Sequence, residues 1–398
     1  MTQTQTQTAL TVTANRSAHH NTPLTATEQD IVGLAAAKIV HTYLDAFPHH
    51  TQTPLVALPG LAQSLGLGGI DLKDEGQRYG MGSFKALGGA YAVGRVAHRH
   101  LEARLNRKIA PAELLDPALK PHLSDLTVAC ATDGNHGRSV AAGAQKFGCR
   151  CVIFLHQGVS QQREDAIARF GAEIRRTAGN YDDSVAEADR VSAREGWTTV
   201  SDFSREGYED IPGLVMQGYA LMLEEIDAQH TTPYSHIFIQ GGVGGLAAAV
   251  AGHFHDQLGQ NRPKIIIVEP EKANCLQRSA AANQRMEMTP EDDTIMAMLE
   301  CYEPSLVAWR ILEKAADHYI SIPDQAAITA LKTLAHPTCG DPALTIGESG
   351  GSGLAGLLTA LKDPNARQTL NLTQNANILL IGTEGATDPD LYQKLLKQ

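Results

Sequence analysis

His236-Ile237-Phe238-Ile239-Gln240-Gly241-Gly242-Val243-Gly244-Gly245-Leu246 decides the fold class. A short apolar run, of strand length, enters a loop with four glycines in five positions, and a helical pattern follows from 246 to 257. Strand, tight loop and helix form the repeating unit of a parallel sheet covered by helices. A near-continuous apolar run, such as residues 264–269 downstream, marks a strand buried on both faces. In such a loop the exposed amides and the helix N-terminus suit a phosphate dianion without any basic side chain. A packing turn alone rarely needs so many glycines. Gly242-Val243-Gly244-Gly245-Leu246-Ala247 also fits the dinucleotide pattern G-x-G-x-x-G/A. Glu269 ends a strand about twenty residues on, where a ribose-binding acid is expected. Both readings stay open from this segment alone.

The same rhythm repeats upstream. Residues 126–131 read as a buried strand that runs into Thr132–Gly137 and a helix over 138–147, ended by Gly148. Strand 150–155, helix 161–170, strand 173–176 and helix 182–195, closed by Gly196, complete a βαβα block. Later come helix 213–227, helix 353–361 and strand 378–381, which delivers Gly382-Thr383-Glu384-Gly385. The expected class is α/β, with two domains built on mainly parallel sheets covered by helices. Residues 88–212 are read as a small inserted domain, and 31–87 with 213–398 as the large one, with the site in the crevice between them. Residues 1–30, opened by a Thr/Gln repeat, are read as a disordered leader, and 106–123 as a proline-rich surface insertion.

A chain of 398 residues can bury a full core in two domains. Its formal charge of −11 argues against nucleic acid or an acidic membrane as a partner. No apolar run reaches membrane-span length and no signal peptide is visible, so a cytoplasmic protein is expected. The six cysteines include no Cys-x-x-Cys pair, and no metal site is predicted. Cys275 and Cys301 flank the stretch Met286 to Met298 and are expected to stay reduced in that compartment.

Gly82-Ser83-Phe84-Lys85 supplies the chemistry. A lysine amine forms an imine with a cofactor aldehyde, and it needs partial burial to be neutral enough to attack. An ordinary lysine is solvated, but Gly82, Gly88 and Gly89 allow close backbone approach here at a cost to helix stability. Lys85, then Thr132-Asp133-Gly134-Asn135-His136-Gly137, then the glycine loop is an order that resembles the fold-type II pyridoxal-phosphate enzymes. These include the serine and threonine dehydratases and tryptophan synthase β. Within that group the chain is most similar to the diaminopropionate ammonia-lyases. Lys73-Asp74-Glu75-Gly76, Asn180-Tyr181-Asp182-Asp183, Glu206-Gly207-Tyr208, Met216-Gln217-Gly218-Tyr219, Gly347-Glu348-Ser349-Gly350 and Thr383-Glu384-Gly385 carry that likeness.

The resemblance implies pyridoxal 5'-phosphate on Lys85, with Phe84 packed beside it. It implies Asn135 on the cofactor's phenolic oxygen, and Gly241, Gly242, Val243, Gly244 and Gly245 around the phosphate. Thr383 would place a neutral hydroxyl near the pyridine nitrogen, which favours elimination. Asp133 and Asp202 would take the α-proton from opposite faces, so that both enantiomers of 2,3-diaminopropionate give pyruvate and two ammonia. Read locally, Asp133 is a helix cap and Asp202 a solvated loop carboxylate. His136 is read as structural. The implied partners are an amino-acid substrate and a second copy of the chain. The rivals are a serine or threonine dehydratase, a catalytically silent regulatory module, and a nicotinamide-dependent oxidoreductase, which leaves Lys85, Asn135 and Thr383 without a task.

Overall fold

The computed structural model describes residues 10–44, 50–132, 134–290, 292–338 and 340–398. In chain order its strands are β1 (Val12–Ala14), β2 (Leu55–Ala57), β3 (Gly69–Asp74), β4 (Thr127–Ala131), β5 (Arg150–His156) and β6 (Glu173–Thr177). They continue with β7 (Thr198–Thr199), β8 (His236–Gln240), β9 (Lys264–Pro270), β10 (His318–Ile322) and β11 (Asn377–Gly382). Seven form one sheet in the order β1-β10-β9-β8-β11-β3-β2, and four form another in the order β6-β5-β4-β7. The five inner strands of the larger sheet run parallel, while β1 and β2 cover its edges antiparallel. The smaller sheet is parallel throughout.

Apolar content explains the order. Every residue of β8 is buried, as a strand with helices on both faces requires. Helix ends follow their glycines: Gly148 and Gly196 close the helices Asn135–Phe147 and Tyr181–Glu195 in the left-handed conformation.

Four expectations need correction. Residues 1–9 lie outside the described residues, but the expected leader is not disordered over 10–30. Val12–Ala14 pair with β10, Asn15 Nδ2 donates to the Ala316 carbonyl at 2.8 Å, and Thr25 caps the helix Ala26–Val32 with a capping box. The segment 106–123 is no surface insertion, because Ile109, Leu114, Leu119 and Leu123 are buried in the main core. The helix expected over 213–227 is two, Asp210–Gly218 and Ala220–Gln229, joined at Tyr219, whose N–H bonds Met216 O at 3.0 Å in a tighter turn. Residue 88, the expected start of the inserted domain, falls inside the unbroken helix Lys85–Leu105. Among the described residues no helix is long and apolar enough to cross a membrane.

Candidate active site

The motif loops meet because each leaves the carboxyl end of a parallel strand, the edge where open α/β sheets gather ligands. β3 leads to Lys85, β4 to Asn135, β7 to Asp202, β8 to the glycine loop and β11 to Thr383. Backbone bonds lock the lysine loop onto the last of these. Phe84 N–H donates to Thr383 O at 3.0 Å, Gly385 N–H donates to Gly82 O at 3.0 Å, and Ser83 bridges Glu384. The turn before Lys85 needs positive φ at Gly80 (66°) and Gly82 (76°), where a side chain would strain the backbone.

Lys85 forms an ion pair with Asp202. Both sit deep in the protein, yet a crevice leaves 24 % and 21 % of their side chains open. Burial works against the lysine's charge, but Asp202 outweighs it and holds the ammonium above its ordinary value. Burial likewise opposes the Asp202 charge, and Lys85 followed by His136 overcomes it, so the carboxylate stays ionised far below its usual range. His136 itself is buried, which pushes it toward the neutral form, and its Nε2 meets Val200 O at 2.9 Å. Phe84 lies against Lys85, whose Nζ is 5.3 Å from the ring centroid. The Tyr219 ring packs against Phe84 at a tilt of 57°, with centroids 5.0 Å apart.

The glycine loop is a cradle by necessity. Gly242 and Gly244 have φ of 60° and 97°. A Cβ on Gly241 would stand 2.5 Å from Glu269 Cγ. The helix Gly245–Leu258 starts at once, so its first amides have no intrahelical acceptor and point at the loop. Cys301 Sγ lies 3.8 Å from where a Gly242 Cβ would be. Cys275 and Cys301 are not joined in a disulfide.

Asn135 opens the helix Asn135–Phe147, three residues earlier than its sequence pattern predicts. Thr132 Oγ1 causes this by accepting from both Gly134 and Gly137 N–H at 3.1 Å. Asn135 Nδ2 donates to Glu384 Oε2 at 2.7 Å, and Arg138 donates to Asn135 Oδ1 at 2.8 Å. Glu384 is buried and Glu348 shares its surroundings; burial first, and the Glu348 charge second, push the Glu384 carboxyl up to about 7. Glu384 Oε1 and Gln240 Oε1 are buried acceptors without a partner in the protein. Thr383 is buried beside them. A shallow cleft opens past Gly134, Asn135, Arg138, Arg163, Met298 and Thr387. Asp133 lies outside the described residues.

A family model described as "Pyridoxal-phosphate dependent enzyme" matches residues 46–384. The chain belongs to the pyridoxal-phosphate dependent enzyme family. Diaminopropionate ammonia-lyase of Salmonella typhimurium is 38 % identical over 360 residues, 88 % of this chain and 89 % of that one. Its Escherichia coli counterpart is 38 % identical over 368 residues, 90 % of this chain and 91 % of its own. The crystal structure of the E. coli enzyme with an aminoacrylate-PLP azomethine reaction intermediate superposes with a TM-score of 0.85, at 34 % identity over 97 % of this chain and 96 % of that one. Threonine deaminase of Solanum lycopersicum shares the fold, with a TM-score of 0.69 at 20 % identity over 98 % of each chain.

The residues fit the family's cofactor. A lysine held on one acid, a glycine cradle that a Cβ would fill, and buried acceptors left open are what a phosphorylated aldehyde needs. The nicotinamide reading fails at Glu269. That carboxyl is fully buried and its two oxygens accept from Leu276 N–H at 2.9 Å and Gln277 N–H at 2.7 Å, so it cannot reach a ribose. The enzyme is thus a pyridoxal-phosphate-dependent lyase of the elimination type. Reading the sequence gave no role to Arg138, Glu384, Tyr219 or Cys301, although Tyr219 and Glu384 stand in stretches that carry the likeness and Arg138 follows Asn135 by three residues, on the same helix face.

Proposed function

We propose that this enzyme is an ammonia-lyase for D- and L-2,3-diaminopropionate, yielding pyruvate and two ammonia. The ion pair of Asp202 with Lys85 Nζ carries the reading. When bound, pyridoxal phosphate supplies an electron sink for the charge that develops on the substrate α-carbon. Lys85 anchors it through Nζ, and the loop Gly241–Gly245 receives its phosphate on backbone amides. With Nζ taken up by the cofactor, the ammonium would no longer hold the Asp202 carboxyl down, and burial would raise its proton affinity and make it a stronger base. It takes the α-proton of one enantiomer. Asp133 takes that of the other from the opposite side, and its charge attracts the β-ammonium of the substrate. Asn135 and Thr383 orient the ring. Phe84 and Tyr219 close the apolar side and exclude water.

Ammonia and pyruvate release from each enantiomer tests this. Asp202→Asn and Asp133→Asn are each expected to lose about 10²–10⁴-fold on one enantiomer, and not the same one, with the cofactor retained. Equal loss on both enantiomers, or faster turnover of L-serine than of either diaminopropionate, would overturn the assignment. The reading also includes a homodimer, which rests on the resemblance, and a cytoplasmic location, carried over from the sequence expectation; sedimentation and cell fractionation test those two points.

A further inference from the structure

Asn135 is the residue whose carboxamide must face the cofactor's ring oxygen in the proposed site, and a carboxamide has two ends of nearly equal shape. Turned one way it offers N–H to that oxygen; turned the other way it offers a second oxygen, and the contact becomes repulsive. Something must fix which end faces inward. Arg138 NH2 donates to Asn135 Oδ1 at 2.8 Å, and a guanidinium can only donate. Glu384 Oε2 accepts from Asn135 Nδ2 at 2.7 Å. With a guanidinium that can only donate at one end and a carboxyl oxygen accepting at the other, a single orientation satisfies both. The Nδ2 group has two hydrogens; Glu384 uses one and leaves one.

We propose that Arg138 and Glu384 are positioning residues that clamp the Asn135 carboxamide from opposite ends, so that its remaining N–H is presented to the ring oxygen of pyridoxal phosphate. This rests on Asn135 being a cofactor contact. The clamp spans two parts of the fold. Arg138 and Asn135 lie in the first turn of the helix after β4, whereas Glu384 follows β11. Thr387 Oγ1 steadies Glu384 Oε2 at 3.2 Å, and the Arg138 guanidinium reaches across to within 3.5 Å of the position a Gly82 Cβ would take, at the lysine loop. Glu384 is 2 % exposed, and its Oε2 serves both Asn135 and Thr387.

The test is a double-mutant cycle on the full-length holoenzyme, read by the cofactor's dissociation constant and by the visible band of the lysine-bound cofactor titrated against pH. Asn135→Ala should weaken retention and move the band's titration midpoint. Arg138→Met and Glu384→Ala should each weaken retention roughly tenfold and move the midpoint in the same direction, the size expected for one charge-assisted hydrogen bond. Glu384→Gln keeps an acceptor and should recover retention to within about threefold of the parent. In the Asn135→Ala background, Arg138→Met and Glu384→Ala should change neither reading further. If they weaken retention by the same factor there, they act independently of Asn135 and the clamp is wrong, although the site stands. If Asn135→Ala alone leaves both readings unmoved, Asn135 is no cofactor contact, and that part of the site falls with the clamp while Lys85 is untouched.

Discussion

Two lysines about a dozen residues apart in sequence meet opposite fates. Lys73 sits in a cluster with Glu75, Arg78 and Glu225 where every polar group is used. Its Nζ donates to Thr53 O (2.8 Å), Glu225 Oε2 (2.7 Å) and Gln229 Oε1 (2.8 Å). Arg78 spends its guanidinium on Glu75, Glu225, Thr51 and Thr53, and the Lys73 and Arg78 side chains are wholly buried. Lys85 has one acid beside a half-open crevice with unpartnered acceptors nearby. Burial wins at Lys73 and pulls its ammonium down, while Asp202 wins at Lys85 and holds its ammonium up. A closed set of buried charges serves structure, because removing any member strands the rest. An open set serves chemistry, because its vacancies receive a ligand.

The largest effect should come from the open set. Lys85→Ala is expected to abolish turnover and the visible absorbance of the bound cofactor; a protein that stays yellow would show that another lysine is the anchor. Asp202→Asn should then cost turnover on one enantiomer without the loss of stability seen in the cluster. Arg78→Met tests the closed set: with Glu75 and Glu225 left uncompensated, unfolding free energy should fall by about 3–5 kcal/mol in urea titration. If it falls by less than Asp202→Asn does, the contrast between the two regions is wrong. The smallest effect concerns pH. Glu384 keeps its proton up to about 7, against 4.5 for an ordinary glutamate. Its stabilising share is therefore complete below 4.5 and is lost as pH rises through about 7. In cofactor-stripped protein, the stability difference between the parent and Glu384→Gln should decline over that window and be flat above it.

The fold was largely legible because its signals are local. Apolar runs gave the strands, and glycines at 148 and 196 marked helix ends by φ alone. The glycine loop stood out by its own composition, whereas Lys85, Asn135 and Thr383 took their proposed roles mainly from the family resemblance. Asp202 looked like a solvated loop acid, and nothing local marks it otherwise; its ion pair spans 117 residues of chain. Glu269 misled for the same reason. Its position matched a ribose acid, but the helix Cys275–Ala282 turns its first amides onto the carboxyl and seals it.

By itself, then, the sequence determined which elements form and which side chains could do chemistry, since hydrophobic period, glycine freedom and the amine's reactivity are properties of residues and their immediate neighbours. Only the tertiary structure decided which charges are finished and which are left open. That depends on desolvation and on partners brought from distant strands: Glu225 to Lys73, Asp202 to Lys85, Glu384 to Asn135. Coulomb attraction and the cost of burial both act through space, and no local pattern in the chain records them.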